Sequence, residues 1–203
     1  MIITITSDKG GVGKTMTAIH LAAYLQTLAP TLLVDGDGVR CSTTWGEGGH
    51  LPFKICGEKE MGMHLSKYEH TVIDTGGEPD DRDLKELVKG CHALVIPAEP
   101  GKSSQTGLIH TLERLQAFGS TKHRVLLTKI PPPHEEMAEF ARTTRRNLVE
   151  AGFPIFKAEI PRMAVFQKAE NRGLVVYDVK NDRNRKIAWE HYAAVGQEII
   201  ANV

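Results

Sequence analysis

Near the start of this 203-residue chain two lysines bracket a run of glycines, Lys9-Gly10-Gly11-Val12-Gly13-Lys14-Thr15. Glycine lets backbone N–H groups approach a phosphate chain closely, because no Cβ stands in the way. An ammonium group at the end of such a loop reaches the β- and γ-phosphates of a nucleoside triphosphate, and the hydroxyl after it ligates Mg²⁺. Lys14 and Thr15 hold those two places. Carboxylates recur downstream, at Asp35 and Asp37 in Asp-Gly-Asp-Gly and at Asp74 before Thr75-Gly76-Gly77. An acid at such a point can hold a magnesium-bound water, since Mg²⁺ takes few protein oxygens and keeps its own waters. Lys9, at the head of the loop, adds more positive charge than one nucleotide tail needs from one subunit. The usual phosphate-loop pattern has a glycine five residues before Gly13, and this chain has Asp8 there.

A loop of this kind works between a strand and a helix, where the positive helix end faces the phosphates. Residues Ile2 to Thr6 alternate apolar β-branched and hydroxyl side chains, as a short buried strand does. Ala18, Ile19, Leu21, Ala22, Ala23 and Leu25 then repeat at helical spacing and predict a helix over 14–28. Further buried strands are predicted at 31–34, 71–74, 93–97, 124–129 and 155–160, with helices at 80–89, 103–118, 135–151 and 185–202. This alternation predicts an α/β fold with a mostly parallel twisted sheet, helices on both faces and the ligand at the carboxyl ends of the strands. Leu108, Leu112 and Leu115 share one helix face, suited equally to the core and to a subunit contact. Residues 41–69 read as a short helix, a glycine loop and a strand-like stretch, a connection without chemistry.

Length predicts a single domain over 1–203. The chain is 41% apolar and 25% charged, and its 25 basic side chains balance 25 acidic ones. Nucleic-acid binding must therefore come from local patches and not from an overall positive field. Three cysteines without CxxC spacing (Cys41, Cys56 and Cys91) read as reduced thiols, and nine scattered histidines lack metal-ligand spacing. No run approaches the ~18 apolar residues of a membrane span. The N-terminus also lacks the basic region of a secretory signal. The expectation is a cytoplasmic protein.

The motif Lys-Gly-Gly-Val-Gly-Lys-Thr resembles the deviant Walker A loop of the ParA/MinD ATPases, closest to small members without a helix-turn-helix domain. That resemblance implies a P-loop ATPase using ATP and Mg²⁺, with Lys14 acting in cis and Lys9 reaching across a homodimer to the partner's nucleotide. It implies nucleotide contacts from Lys9, Gly10, Gly11, Val12, Gly13, Lys14, Thr15 and Met16, the last standing where the family usually has a second threonine. Asp35-Gly36-Asp37 resembles the family's Asp-x-Asp motif, which implies that Asp37 orients the attacking water near the metal. Gly38-Val39-Arg40 departs from the family's Pro-Gln continuation. Asp74-Thr75-Gly76-Gly77 resembles the Walker B strand and switch II loop, which gives Thr15, Asp37 and Asp74 as the metal set. Ala98-Glu99-Pro100 resembles the family's turn after the next strand. Lys129 and Pro131 are implied to flank the adenine, and Pro161 in Ile160-Pro161-Arg162 to face base and ribose. The stretch from Ala164 to Tyr177 also resembles the family's C-terminal third.

Small members bind double-stranded DNA without sequence preference, on a basic surface completed by ATP-dependent dimerisation. Carried over, this implies nucleoid association and candidate contacts from Arg146, Lys180, Arg183, Arg185 and Lys186. A ParB-like or cargo-adaptor partner would stimulate slow hydrolysis, and the cargo would be a plasmid, a chromosome or a protein microcompartment. Two alternatives are a MinD-like membrane-cycling regulator and a P-loop metabolic enzyme. The first needs a basic amphipathic C-terminal helix. Here Arg183, Arg185 and Lys186 lie only at its start, with Glu190 and Glu198 further on. The nitrogenase iron protein and dethiobiotin synthetase share related loops, but the three cysteines do not match the iron protein's cluster pattern.

Overall fold

The structure, a computed structural model, describes residues 1–202. Six strands, β1 (Ile2–Ile5), β2 (Thr31–Gly36), β3 (Lys54–Gly57), β4 (His70–Thr75), β5 (Ala93–Ala98) and β6 (His123–Leu127), form one sheet in the order β3-β2-β4-β1-β5-β6. Every pairing is parallel, so all strands end at the same rim. The register sets Asp74 beside Ile5 on one side and Asp35 on the other, which brings the acids of β2 and β4 to the rim where the glycine loop leaves β1.

Successive strand residues point to opposite faces, and the two faces are covered by different helices. Ile3, Ile5, Leu33, Val72, Val95 and Leu126 pack under α1 (Lys14–Gln26), α7 (Ala164–Asn171) and α8 (Arg185–Ile200). Leu94, Ile96, Val125 and Leu127 pack under α4 (Asp81–Gly90), α5 (Lys102–Ala117) and α6 (Glu136–Glu150). Leu108, Leu112 and Leu115 belong to that second core. In α8, Ala188, Tyr192, Val195 and Ile199 are all buried, so its apolar stripe is spent on packing. Gly196 allows the close approach to α1, because a Cβ there would lie 2.2 Å from the Tyr24 ring. Among the described residues no helix is long and apolar enough to cross a membrane.

Two expectations need correction. The segment 155–160 is not a seventh strand: isolated bridges join Val125 to Ile155 and Ile130 to Pro161, and the Ile160 amide donates to the Leu127 carbonyl at 2.9 Å. Between them the amides of Lys157 and Ala158 donate to the Glu198 carboxylate of α8 at 2.9 and 2.6 Å, which draws the backbone off the β6 edge. Residues 41–69 are more than a connection. They supply α2 (Cys41–Gly46), the edge strand β3 and α3 (Glu58–His64), and α2 bears directly on the acidic rim.

His20 shows how α1 is locked to the C-terminal elements. Its ring is fully buried, stacks on Tyr192 at 4.7 Å and meets Phe166 edge-on. Nδ1 lies 2.8 Å from the Met16 carbonyl, while Nε2 accepts from the Val176 amide at 3.1 Å, a pair that a neutral imidazole serves with Nδ1–H donating. Burial lowers its pKa from 6.5 to about 4, with the Met16 hydrogen bond opposing. The unfolded chain therefore binds this proton first as pH falls, and stability is lost between pH 6.5 and 4, by about 3 kcal/mol in all. Urea titrations across that window should show His20→Gln removing this share of the pH dependence, with stability at pH 7 the control.

Candidate functional site

The glycine loop joins β1 to α1, and Gly11 and Gly13 adopt left-handed backbone at φ +76° and +93°, which favours glycine. Gly13 is the N-cap of α1, so the first helical amides face the loop. The end of β6 pins this loop: the Thr128 hydroxyl donates to the Val12 carbonyl at 2.7 Å, and Lys129 Nζ to that of Gly11 at 2.5 Å. Lys14 Nζ donates to the Lys9 carbonyl at 3.3 Å. The glycine turn after β4 closes the other side. A Cβ on Gly77 would come 3.9 Å from Lys14 Nζ, and one on Gly76 would come 3.9 Å from Asp37 Oδ1. Loop, turn and Asp37 thus enclose one cradle.

Lys9 points away from Lys14. Its ammonium lies 3.1 Å from Glu99 Oε1 and 2.6 Å from the hydroxyl of the buried Ser104 on α5. The other Glu99 oxygen pairs with Lys129 at 3.4 Å. Partial burial pushes the Glu99 carboxyl up, but the two lysines outweigh it and hold its pKa below the usual range. One carboxylate is therefore shared by two ammonium groups at the loop.

Asp74 is fully buried at the end of β4. The Ser42 hydroxyl donates to its Oδ2 at 2.7 Å, the Thr15 side chain stands near enough to favour its charged form, and Oδ1 has no hydrogen-bond partner among the described residues. Burial raises its pKa to about 6, partly offset by Ser42 and Thr15. A buried carboxylate with one orphaned oxygen, beside a threonine hydroxyl, is a donor set that suits a hard divalent cation such as Mg²⁺. The residues fit the metal.

Asp35 has a different task. Its Oδ2 accepts from the amide and hydroxyl of Thr43 at 2.8 and 2.5 Å, and its Oδ1 accepts from the Asp37 amide at 3.1 Å. It therefore anchors α2 and fixes the Asp37 turn, whose side chain accepts from the Val39 amide at 3.1 Å. Ser42 and Thr43 were not legible as site residues. Their signal was a Ser-Thr-Thr run a few residues after Asp-Gly-Asp-Gly, but their acidic partners become visible only through the sheet register.

Pro131 and Pro161 are drawn together, because Ile130 bridges Pro161 and the Arg162 amide donates to the Ile130 carbonyl at 2.8 Å. The basic residues are not gathered into one patch. Arg146 is exposed on α6, over the second core, whereas Arg185 and Lys186 belong to α8, over the first. Lys180, Arg183 and Lys186 are each exposed, while the Arg185 guanidinium donates to the Tyr177 carbonyl at 3.3 Å.

With this geometry in view, the comparison with known proteins is direct. Residues 3–176 match the family model described as the CobQ/CobB/MinD/ParA nucleotide binding domain. The chain belongs to the ParA/MinD family. A curated ParA/MinD relative, the maintenance of carboxysome distribution protein A of Gloeobacter kilaueensis, is 32% identical over 205 aligned positions, covering 98% of this chain and 93% of that protein. Among solved structures, apo McdA of Cyanothece superposes with a TM-score of 0.74 at 17% identity, covering 98% of both chains. A putative plasmid partition protein of Borrelia burgdorferi bound to AMPPNP gives 0.73 at 17%, again covering 98% of both chains. At that identity the structural likeness concerns the fold. It is the P-loop NTPase fold of ParA/MinD proteins.

Proposed function

We propose that this chain is a cargo-positioning ATPase whose ATP-bound form is a homodimer that binds DNA without sequence preference. The observation that carries this reading is the pair of ammonium groups at one glycine loop, Lys14 held by the loop backbone and Lys9 held apart from it by Glu99 and Ser104. Lys14 serves the phosphates of its own nucleotide. Lys9 exchanges Glu99 and Ser104 for the phosphates of the partner's nucleotide, which makes pairing depend on the triphosphate. Thr15 and Asp74 hold the metal, with Asp37 at the same cradle. Bound Mg²⁺ neutralises charge on the β- and γ-phosphates.

Hydrolysis is in-line attack by a water that Asp37 orients, so a bond forms from water oxygen to γ-phosphorus while the bond to the β,γ-bridging oxygen breaks. The products are ADP and phosphate. Lys9 and Lys14 stabilise the charge that spreads over the transferred group. Lys129, Pro131 and Pro161 line the base. A partner protein accelerates turnover and releases the dimer from DNA, and repeated binding and release moves the cargo. The near full-length likeness to a protein named for carboxysome distribution favours a protein microcompartment as that cargo. Lys180, Arg183, Arg185 and Lys186 are the DNA contacts this reading favours, with Arg146 on a separate surface. The membrane-cycling alternative is disfavoured by the buried apolar stripe of α8.

The test is an electrophoretic shift on duplex DNA of arbitrary sequence. ATP should produce a shift that ADP does not, and affinity should fall steeply with salt as phosphate neutralisation requires. A chain that ignores DNA in ATP but binds anionic vesicles overturns this reading in favour of a membrane-cycling one.

A further inference from the structure

Asp8 stands where the usual phosphate loop has glycine, and the chemistry proposed above makes no use of it. Its side chain is only 9% exposed and is held by two residues of α5. Arg114 Nη1 lies 3.3 and 3.2 Å from the two carboxylate oxygens, and His110 Nδ1 lies 3.2 Å from Oδ2. Arg114 is itself only 16% exposed, and its remaining donors are used elsewhere. Nε donates to Asp81 Oδ1 at 2.7 Å, and Nη2 to the Pro79 carbonyl at 2.7 Å.

One guanidinium therefore touches the head of the phosphate loop and the start of α4, two places more than 70 residues apart in sequence. The helices do not need this network in order to meet, because Leu84 of α4 already packs in the same core as Leu108, Leu112 and Leu115 of α5. A planar fork with several donors fixes the relative geometry of the groups it joins, which a single ammonium cannot do. A carboxylate and a guanidinium this withdrawn from water cannot readily separate, since each would leave the other's charge unpaired. Asp8 and Arg114 therefore move together.

We propose that Arg114 is a positioning residue that carries the occupancy of the phosphate loop to Pro79, Asp81 and the first turns of α4. This rests on reading the loop as the nucleotide site. Phosphates fix the loop backbone, the loop fixes Asp8, and Arg114 held against Asp8 presents one geometry to Asp81 and the Pro79 carbonyl. The start of α4 is capped by Asp80, which accepts from the Asp83 amide at 2.8 Å, so ordering Pro79 and Asp81 orders the cap between them. The α4 surface thereby reports whether the nucleotide site is filled.

The test is amide hydrogen exchange on the full chain with and without AMPPNP and Mg²⁺. The native chain should slow exchange in residues 10–18 through direct contact, and in residues 80–86, outside the cradle, by roughly fivefold or more. Arg114→Gln should keep the protection of 10–18 and lose that of 80–86. Arg114→Lys should behave in the same way, because it keeps the charge beside Asp8 without the span. Asp8→Asn should reproduce the loss from the other end, so the test survives if one variant folds poorly. Equal protection of 80–86 in the native and Arg114 variants overturns the proposal, as does a native chain protected at 10–18 alone. A native chain with no protection at 10–18 overturns the nucleotide-site reading itself, and this inference falls with it.

Discussion

Lys9→Ala is expected to leave a chain that still binds ATP but no longer pairs in its presence, with turnover lowered by at least about 100-fold. The expectation follows from where Lys9 points. Its ammonium is outside its own cradle, paired with Glu99 and Ser104, while Lys14 is directed inward. Removing it costs the single chain little, because the Lys9–Glu99 pair is partly exposed and Lys129 stays beside Glu99. Light scattering after gel filtration in ATP and in ADP measures pairing, and phosphate release measures turnover. If both match the native chain, Lys9 serves only its own chain, at Glu99 and Ser104, and the shared-nucleotide mechanism is wrong.

Asp37→Ala should act at the opposite end of the cycle. The variant should pair in ATP as the native chain does and then fail to come apart, with hydrolysis lowered by about 100- to 10,000-fold. Its fold should be nearly unaffected, since the turn is anchored by Asp35 and, among the described residues, the Asp37 carboxylate accepts only from the Val39 amide and the exposed Cys41 thiol beside it. Single-turnover phosphate release and the lifetime of the ATP-bound pair are the measurements. Native turnover in this variant would mean that another group orients the water. Lys9→Ala blocks entry into the paired state, whereas Asp37→Ala blocks exit from it, so the two separate binding from chemistry.

Much of this site was legible in the sequence because its signals are local. The glycines, Lys14 and Thr15 lie in one short run between an alternating strand and a helical repeat, and the acids close two further strands. Contacts between residues distant in sequence were not legible. Ser42 reaches Asp74 only because β2 and β4 are neighbours, and Glu99 reaches Lys9 only because β5 flanks β1. The segment 155–160 has strand-like composition, and its departure from the sheet depends on Glu198, some forty positions later. The basic residues illustrate the same limit. Arg146 and Lys186 look equivalent as charges in a sequence, yet the sheet stands between the helices that carry them.

The clasp of Glu198 on Lys157 and Ala158 has a practical meaning for anyone who labels this protein. It joins the last helix to the strip of backbone leading into Pro161, so the tail is tied to the wall proposed above for the base. A fluorescent fusion that strains the final turn should disturb the pocket directly. An insertion in the exposed Gly48–Gly49 bend avoids that lever.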